Sequence, residues 1–250
     1  MVRMMSVLDL EQEISITPAQ RVAQIDWKRV SSELAEDGVA VAEKLLTVDE
    51  CRYLAALYSD SARFRSRVVM ARYAFGKGEY QYFSYPLPDM VAELRTALYR
   101  HLAPIANAWN ERMRIASRYP ADHADFLQKC HDAGQKRPTP LLLTYNDGDY
   151  CCMHQDLYGE LMFPMQVVFL LSEPGRDFTG GEFLLVEHNP KGPARPHVVP
   201  LRQGDAVAFA VNHRPVKSAR GSYRVNLRHG VSRLRSGHRD TLGIIFHDAK

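Results

Sequence analysis

The rhythm of apolar and polar positions changes near residue 138. Before it, apolar residues recur at helical spacing. "DWKRVSSELAEDG" sets Val30 and Leu34 one turn apart behind Asp26, a residue able to cap a helix, and ends on Gly38, which stops one. "TVDECRYLAALYSDSARF" opens on Thr47 with Glu50 three residues later, the reciprocal capping pattern, and the intervening "VAVAEKLL" predicts a short strand. A longer helical stretch starts at Asp89, "DMVAELRTALYRHLAPIANAWNERM", in which Pro104 predicts a kink or break; "DHADFLQKCHDAG" predicts a further helix.

After Pro138 the pattern becomes short β-rich runs, among them "LLLTYN", "MQVVFLLS", "EFLLVE", "DAVAFAV", "YRVNLRHGVSRL" and "DTLGIIF", divided by "NDGD", "EPGRDFTGG", "NPKGPARP" and "RQGD". Many short strands at this spacing predict a sandwich or barrel rather than alternating βαβ units. The fold class expected is α+β: a jelly roll in residues 138–250, buttressed by a mainly helical region in residues 1–137, the two packed as one integrated domain.

Composition narrows the picture. With 250 residues and 46% hydrophobic content the chain can bury one sizeable core. The run "VVFLL" is bounded by Gln166 and Ser172, far short of a membrane span, and "MVRMMSVLDLEQEIS" meets acidic residues too early for a signal peptide. A cytoplasmic protein without membrane partners is expected. Cys51, Cys130, Cys151 and Cys152 lack the C-x-x-C spacing of a structural zinc site and read as reduced thiols, Cys151 and Cys152 on opposite faces of a strand.

The formal net charge is only +3, yet residues 191–239 hold eleven Lys or Arg against one acid, Asp205, a local +10 that leaves −7 for the rest. Such a run is either a solvated face or the footprint of an anionic partner, nucleic acid or an acidic small molecule. The aromatic-rich "YAFGKGEYQYFSYPLPDM" adds rings on which a base can stack; a lid over an amino acid or peptide, or plain core packing, is the competing reading.

Candidate chemistry centres on His154-x-Asp156. H-x-D occurs three times in the chain, so geometry has to separate the copies. His123 and Asp125 fall in a helix, where residues two apart diverge, and read as surface residues. His238 and Asp240 leave only His247 downstream, too near the end to bring a ligand from another strand. His154 and Asp156 follow a strand and a glycine turn; if extended they share a face, and a second histidine would complete the two-imidazole, one-carboxylate triad of non-haem Fe(II) oxygenases. His229 is favoured because alternation flanks it with Leu227 and Val231, and Arg239 follows ten residues on, sharing a face with Thr241. An inward Arg needs an anion, which a dicarboxylate cosubstrate supplies. His213, in "NHRPVK", is the rival; a catalytically silent binding module and a cupin-type metal enzyme also stay open.

Together "HQD" at 154–156, "GGEF" at 180–183, His229 and "RDT" at 239–241 resemble the Fe(II)/2-oxoglutarate-dependent dioxygenases, in the region where prolyl hydroxylases and AlkB-type nucleic-acid demethylases share a double-stranded β-helix. The fuller string resembles a bacterial subfamily linked to oxidative repair of damaged nucleic acid, over residues 138–249. This resemblance implies His154, Asp156 and His229 as Fe(II) ligands, and Arg239 with Thr241 as the clamp for the far carboxylate of 2-oxoglutarate. Tyr145 and Gln166 are candidate cosubstrate contacts. It further implies dioxygen as co-reactant, succinate and carbon dioxide as products, and ascorbate as a candidate reductant. Substrate candidates are a nucleic-acid base, a prolyl or other peptide side chain, and a free small molecule.

Overall fold

The structure is a computed structural model that describes residues 16–190, 192–219 and 221–250. The acidic N-terminal stretch read against a signal peptide, and Lys191 and Arg220 of the basic run, lie outside the described residues. In chain order the elements are α1 (Pro18–Gln24), α2 (Trp27–Asp37), β1 (Val39–Ala42), α3 (Val48–Ala56), β2 (Phe64–Val69), β3 (Gly76–Lys77), β4 (Glu79–Phe83), α4 (Asp89–Arg112) and α5 (His123–Asp132). Then come β5 (Leu141–Tyr145), β6 (Tyr150–His154), β7 (Met165–Leu170), β8 (Phe178–Gly180), β9 (Phe183–His188), β10 (Arg195–Val199), β11 (Ala206–Ala210), β12 (His213–Ser218), β13 (Gly221–Val231), β14 (Leu234–Gly237) and β15 (Arg239–Ile244).

Helix ends form where the local chemistry puts them. The Asp26 carboxylate accepts from the amides of Lys28 and Arg29 to start α2, and Gly38 ends it at φ 74°, a left-handed conformation that suits glycine. Thr47 and Glu50 cap α3 reciprocally. At Pro104 the chain differs from expectation: α4 runs unbroken from Asp89 to Arg112. Pro104 faces solvent, where water can serve the carbonyl its missing N–H leaves free, while Leu98, Leu102, Ile105 and Trp109 hold the helix on the core.

Two antiparallel sheets carry the jelly roll. The larger has the order β1-β11-β7-β15-β5-β4-β2, the smaller β10-β9-β13-β6-β3 with β12 also on β13. Residues before 138 thus supply more than helices: β1, β2 and β4 extend the larger sheet and β3 edges the smaller one. The reason is partnership rather than intrinsic pattern, because β2, "FRSRVV", alternates charge with small residues and gains strand structure by pairing with β4.

Alternation gives the larger sheet two different faces. On β7 and β15, Val167, Phe169, Leu242 and Ile244 join Leu94, Leu98 and Trp109 of α4 in one core cluster. Their neighbours Gln166, Val168, Arg239 and Thr241 point the other way, into the space between the sheets. His123 corrects the surface reading given to the first H-x-D pair. It is 4% exposed, its ring 4.7 Å from Tyr99, and its Nε2–H donates to the Phe246 carbonyl at 2.8 Å, because the first turn of α5 packs where the chain leaves β15. Among the described residues no helix is long and apolar enough to cross a membrane.

Candidate metal centre

Strand pairing creates the site. His229 on β13 lies opposite His154 at the end of β6, and a register shift follows between His229 and Val231. The two imidazoles come to 4.2 Å between ring centroids. Asp156, just past β6, reaches back so that Oδ1 is 3.4 Å from His154 Nε2 and Oδ2 is 3.3 Å from His229 Nε2. One ligand atom from each of the three lies within 4.8 Å of the others, and this is the one such group of His, Cys, Asp or Glu among the described residues.

The donor chemistry fits a divalent ion. His154 Nδ1–H donates to the Cys152 carbonyl at 2.8 Å, so Nε2, turned to Asp156, is the nitrogen that binds an ion once the ion displaces its proton. Burial pushes the Asp156 carboxyl up, but the hydrogen bonds and charges of His154 and His229 outweigh it and hold it well below the usual carboxylate range. Burial also pushes His154 down, against which Asp156 and Cys151 draw it up to about 11; burial keeps His229 below its ordinary value. A buried carboxylate between two imidazoles demands a positive charge, and a cation meets that demand while leaving both rings neutral. The donor set, two imidazoles and one carboxylate, suits Fe(II) with open positions on the opposite side.

A cavity of about 330 Å³ opens beside this group, and His154, Asp156, His229, Arg239, Thr241, Tyr145 and Gln166 all line it. The smaller sheet and the loop after β6 contribute the His154, Asp156 and His229 side, while β5, β7 and β15 of the larger sheet contribute the polar groups opposite. Arg239 is 2% exposed, packs over the Tyr145 ring at 5.6 Å and the Phe178 ring at 5.8 Å, and its Nε has no hydrogen-bond partner. Burial pushes its guanidinium below the usual value, outweighing the opposing pull of Tyr145, Asp240, Cys151 and Glu182. Gln166 Nε2 and His229 Nδ1 are likewise buried without a partner, so three unsatisfied polar atoms share one cavity.

His213 stays apart from the cluster, its Nδ1 3.4 Å from the Val225 carbonyl on the paired strand. His238 contacts its own Asp240 at 3.0 Å with a half-exposed side chain, as an ordinary surface pair does. Two contributors were not singled out from the sequence. Tyr158 donates from its hydroxyl to Asp156 Oδ1 at 2.8 Å; burial and the Asp156 charge push its phenol far up, so it remains a donor. Phe75, 49% exposed, overhangs the cavity with its ring 6.4 Å from His154. Aromatic density in residues 73–90 was the available signal for Phe75; for Tyr158 there was none beyond its place two residues after Asp156.

The basic run does not form one face. Arg214 is buried against Glu187, Arg195 pairs with Asp37, and Arg239 is inside the cavity. Arg202, Lys217, Arg224, Arg228, Arg233 and Arg235 are exposed, spread over separate strands and turns.

Comparison with known proteins agrees with this geometry. Residues 78–249 match the Oxygenase-NA family, described as "Oxygenase, catalysing oxidative methylation of damaged DNA". An uncharacterised protein present in two strains of Mycobacterium tuberculosis is 46% identical over 167 residues, covering 67% of this chain and 72% of that one. At the level of fold, the chain is similar to a 2OG-Fe(II) oxygenase family oxidoreductase from Burkholderia pseudomallei (16% identity, TM-score 0.53, 90% of this chain and 93% of that one). It is similar also to a prolyl hydroxylase from Trichoplax adhaerens crystallised with a hypoxia inducible factor peptide fragment (13%, 0.52, 97% and 94%). A Pseudomonas putida prolyl-4-hydroxylase shares the fold too (16%, 0.50, 90% and 99%). The family match spans β4 to β15 and every residue of the metal-centre cavity except Met70 and Phe75, and the chain belongs to the Oxygenase-NA family.

Proposed function

We propose that the chain is an Fe(II)- and 2-oxoglutarate-dependent dioxygenase that hydroxylates a C–H bond of a damaged nucleic-acid base. In this reading His154, Asp156 and His229 hold the ion, and Arg239 holds the far carboxylate of 2-oxoglutarate. The observation that carries it is the buried guanidinium of Arg239, which forms no ion pair with any described residue yet lines the same cavity as the triad. A dicarboxylate meets that need by a two-pronged, charge-assisted contact. Thr241, on the same face of β15, offers its hydroxyl to the same carboxylate, and Gln166 and Tyr145 offer further donors from the neighbouring strands of the same sheet.

When bound, Fe(II) with 2-oxoglutarate and dioxygen supplies the oxidising chemistry and releases succinate and carbon dioxide. The chain's own part is positional. Three ligands on one side leave the other side open, Arg239 sets the cosubstrate's direction, and Leu143, Val168 and Phe183 line the cavity with apolar surface that limits water. If the hydroxyl lands on an N-methyl carbon, the product collapses to formaldehyde, so the outcome there is demethylation.

The substrate class is supported by the segment from which Phe75 reaches the cavity. Between β2 and β4, Tyr73 is 62% and Phe75 49% exposed, and Arg72 and Lys77 on the same segment are exposed without an ion pair to any described residue. Rings for a base and cations for phosphate within six residues suit a single nucleic-acid strand. The activity described for the family, on damaged DNA, points the same way.

Fe(II)-dependent release of succinate from 2-oxoglutarate is the direct test, with loss in His154→Ala and His229→Ala. Parent-like turnover in both variants overturns the ligand assignment. Binding of Fe(II) and 2-oxoglutarate without succinate, whatever substrate is added, favours a sensor module. Substrate class is read by adding methylated oligonucleotides, peptides and amino acids to the anaerobic Fe(II)–2-oxoglutarate complex and following its metal-to-ligand absorption. If no oligonucleotide perturbs the band or binds with salt dependence, the nucleic-acid reading fails while the reaction class stands.

A further inference from the structure

The hydroxyl of Tyr158 is the feature of the metal centre that no coordination requirement explains. It donates to Asp156 Oδ1 at 2.8 Å and in turn accepts from the Tyr82 hydroxyl at 3.0 Å, the two rings meeting edge to face at 6.3 Å. Tyr82 is itself fixed: it is 8% exposed, sits on β4 opposite Leu141 of β5, and stands edge-on to Tyr80 at 5.4 Å. The Arg65 guanidinium, held on the Pro138 carbonyl at 2.8 Å, covers its other side at 4.5 Å. A hydrogen-bond chain with a defined direction therefore runs from the larger sheet, Tyr82 to Tyr158 to Asp156, into a carboxylate that belongs to the smaller sheet's loop.

We propose that Tyr158, oriented by Tyr82, is a positioning residue that reserves one oxygen of Asp156 and leaves the other to bind the metal. Oδ1 accepts from the Tyr158 hydroxyl and lies 3.4 Å from His154 Nε2; Oδ2 receives no hydroxyl and lies 3.3 Å from His229 Nε2. An oxygen that already accepts the Tyr158 hydroxyl is the poorer donor to an ion, which biases the carboxylate to coordinate through the other. That keeps the ion's remaining positions free for cosubstrate and dioxygen, since a carboxylate binding through both oxygens would take one of them. The relay also ties the ligand loop to β4, so that the two sheets set the ligand's angle jointly. This inference rests on the reading of Asp156 as a metal ligand.

The test is Co(II) binding, followed by its visible absorption in the full-length metal-free protein, with Asp156→Ala, Tyr158→Phe and Tyr82→Phe. Asp156→Ala is expected to abolish binding. Tyr158→Phe is expected to weaken it by about 10- to 100-fold, the range for losing a partner of a ligand, and to alter the absorption bands, with the metal-free melting temperature near the parent's. Tyr82→Phe leaves the Tyr158 hydroxyl in place without its orienting donor and is expected to weaken binding less, in the same direction; it also serves if Tyr158→Phe does not fold. Parent affinity and parent bands in both Phe variants, beside a dead Asp156→Ala, overturn the relay but keep the ligand. Parent-like binding in Asp156→Ala overturns the metal-centre reading and the relay with it.

Discussion

A buried guanidinium without an ion pair works against the fold that contains it. Arg239 is such a group, 2% exposed, its Nε without a partner and its charge penalised by burial. Replacing it with Met, similar in length and apolar, should therefore raise the melting temperature of the cosubstrate-free protein. The same change should weaken 2-oxoglutarate by on the order of 100-fold, the loss of about 2 to 3 kcal/mol of charge-assisted hydrogen bonding. Thermal shift with and without 2-oxoglutarate separates the two effects: at about 100 times its Kd a ligand stabilises by about 2.7 kcal/mol, and the variant should lack that shift. A variant less stable than the parent yet still stabilised by 2-oxoglutarate would give Arg239 a structural role instead. At this scale the sequence was informative wherever alternation decides direction. His154, His229, Arg239 and Thr241 point inward because strands alternate, and that period can be read off a string of letters. Tyr158 and the burial of His123 depend on what packs against them from distant segments, β4 in one case and the exit from β15 in the other, which no local period encodes.

Elements were legible where they carry their own signals and obscure where a partner makes them. Capping at Asp26, Thr47 and Glu50 and the apolar runs of β7 and β11 are local, and the elements stand where the pattern puts them. Strand β3 is two residues long and exists because its neighbour accepts it: Gly76 lies opposite Cys151, Lys77 opposite Tyr150, and the Phe75 carbonyl accepts from the Cys152 amide at 2.8 Å. Gly76 has φ 122°, and a Cβ there would meet the Tyr150 carbonyl oxygen at 2.3 Å, so only glycine fits this approach. Gly76→Ala should unseat the segment that carries Tyr73 and Phe75. If that segment binds substrate, the variant loses oligonucleotide affinity by about 10-fold or more, the scale of one to two lost stacking contacts, and keeps substrate-independent turnover of 2-oxoglutarate. Equal loss of both activities would instead mean that the metal centre itself had been disturbed. Pro104 offers an opposite case inside α4. A helix-interior proline costs up to about 3 kcal/mol relative to alanine, so Pro104→Ala should raise the unfolding free energy in urea by about 1 to 3 kcal/mol without changing metal binding. No gain would mean that the helix already accommodates the ring without strain.

The whole molecule is held together where the chain leaves the larger sheet, and that junction sets its response to acid. Arg95 of α4 and His131 of α5 both bond Asp248, at 2.8 Å each, Tyr85 donates to the same carboxylate at 2.9 Å, and the Phe163 amide donates to His247 Nδ1 at 3.1 Å. Burial, helped by the Arg95 charge, pushes His123 down to about 3 and His247 to about 4 from an ordinary 6.5. Both imidazoles are therefore neutral in the native state at a pH where the unfolded chain already takes up protons. Stability follows the difference in bound protons: it is full above about pH 6.5 and is lost as the pH falls towards the folded values, with a limiting slope of about 1.4 kcal/mol per pH unit for each imidazole. For Asp248 burial acts upward, but Arg95, His131 and Tyr85 outweigh it and keep the carboxyl below its ordinary range; its contribution has the same sign and is lost only at lower pH. Loss of stability should thus begin near pH 6, earlier than the carboxylates alone would start it. Urea unfolding of the metal-free protein between about pH 8 and about pH 4.5 measures the slope. His123→Gln retains a donor for the Phe246 carbonyl and removes one titrating ring, so its slope below pH 6 should be smaller by about one proton. Identical slopes in parent and variant would mean that the His123 ring takes up its proton in the native state as readily as in the unfolded chain, and the packing of α5 against the end of β15 would then have to be looser than its contacts describe.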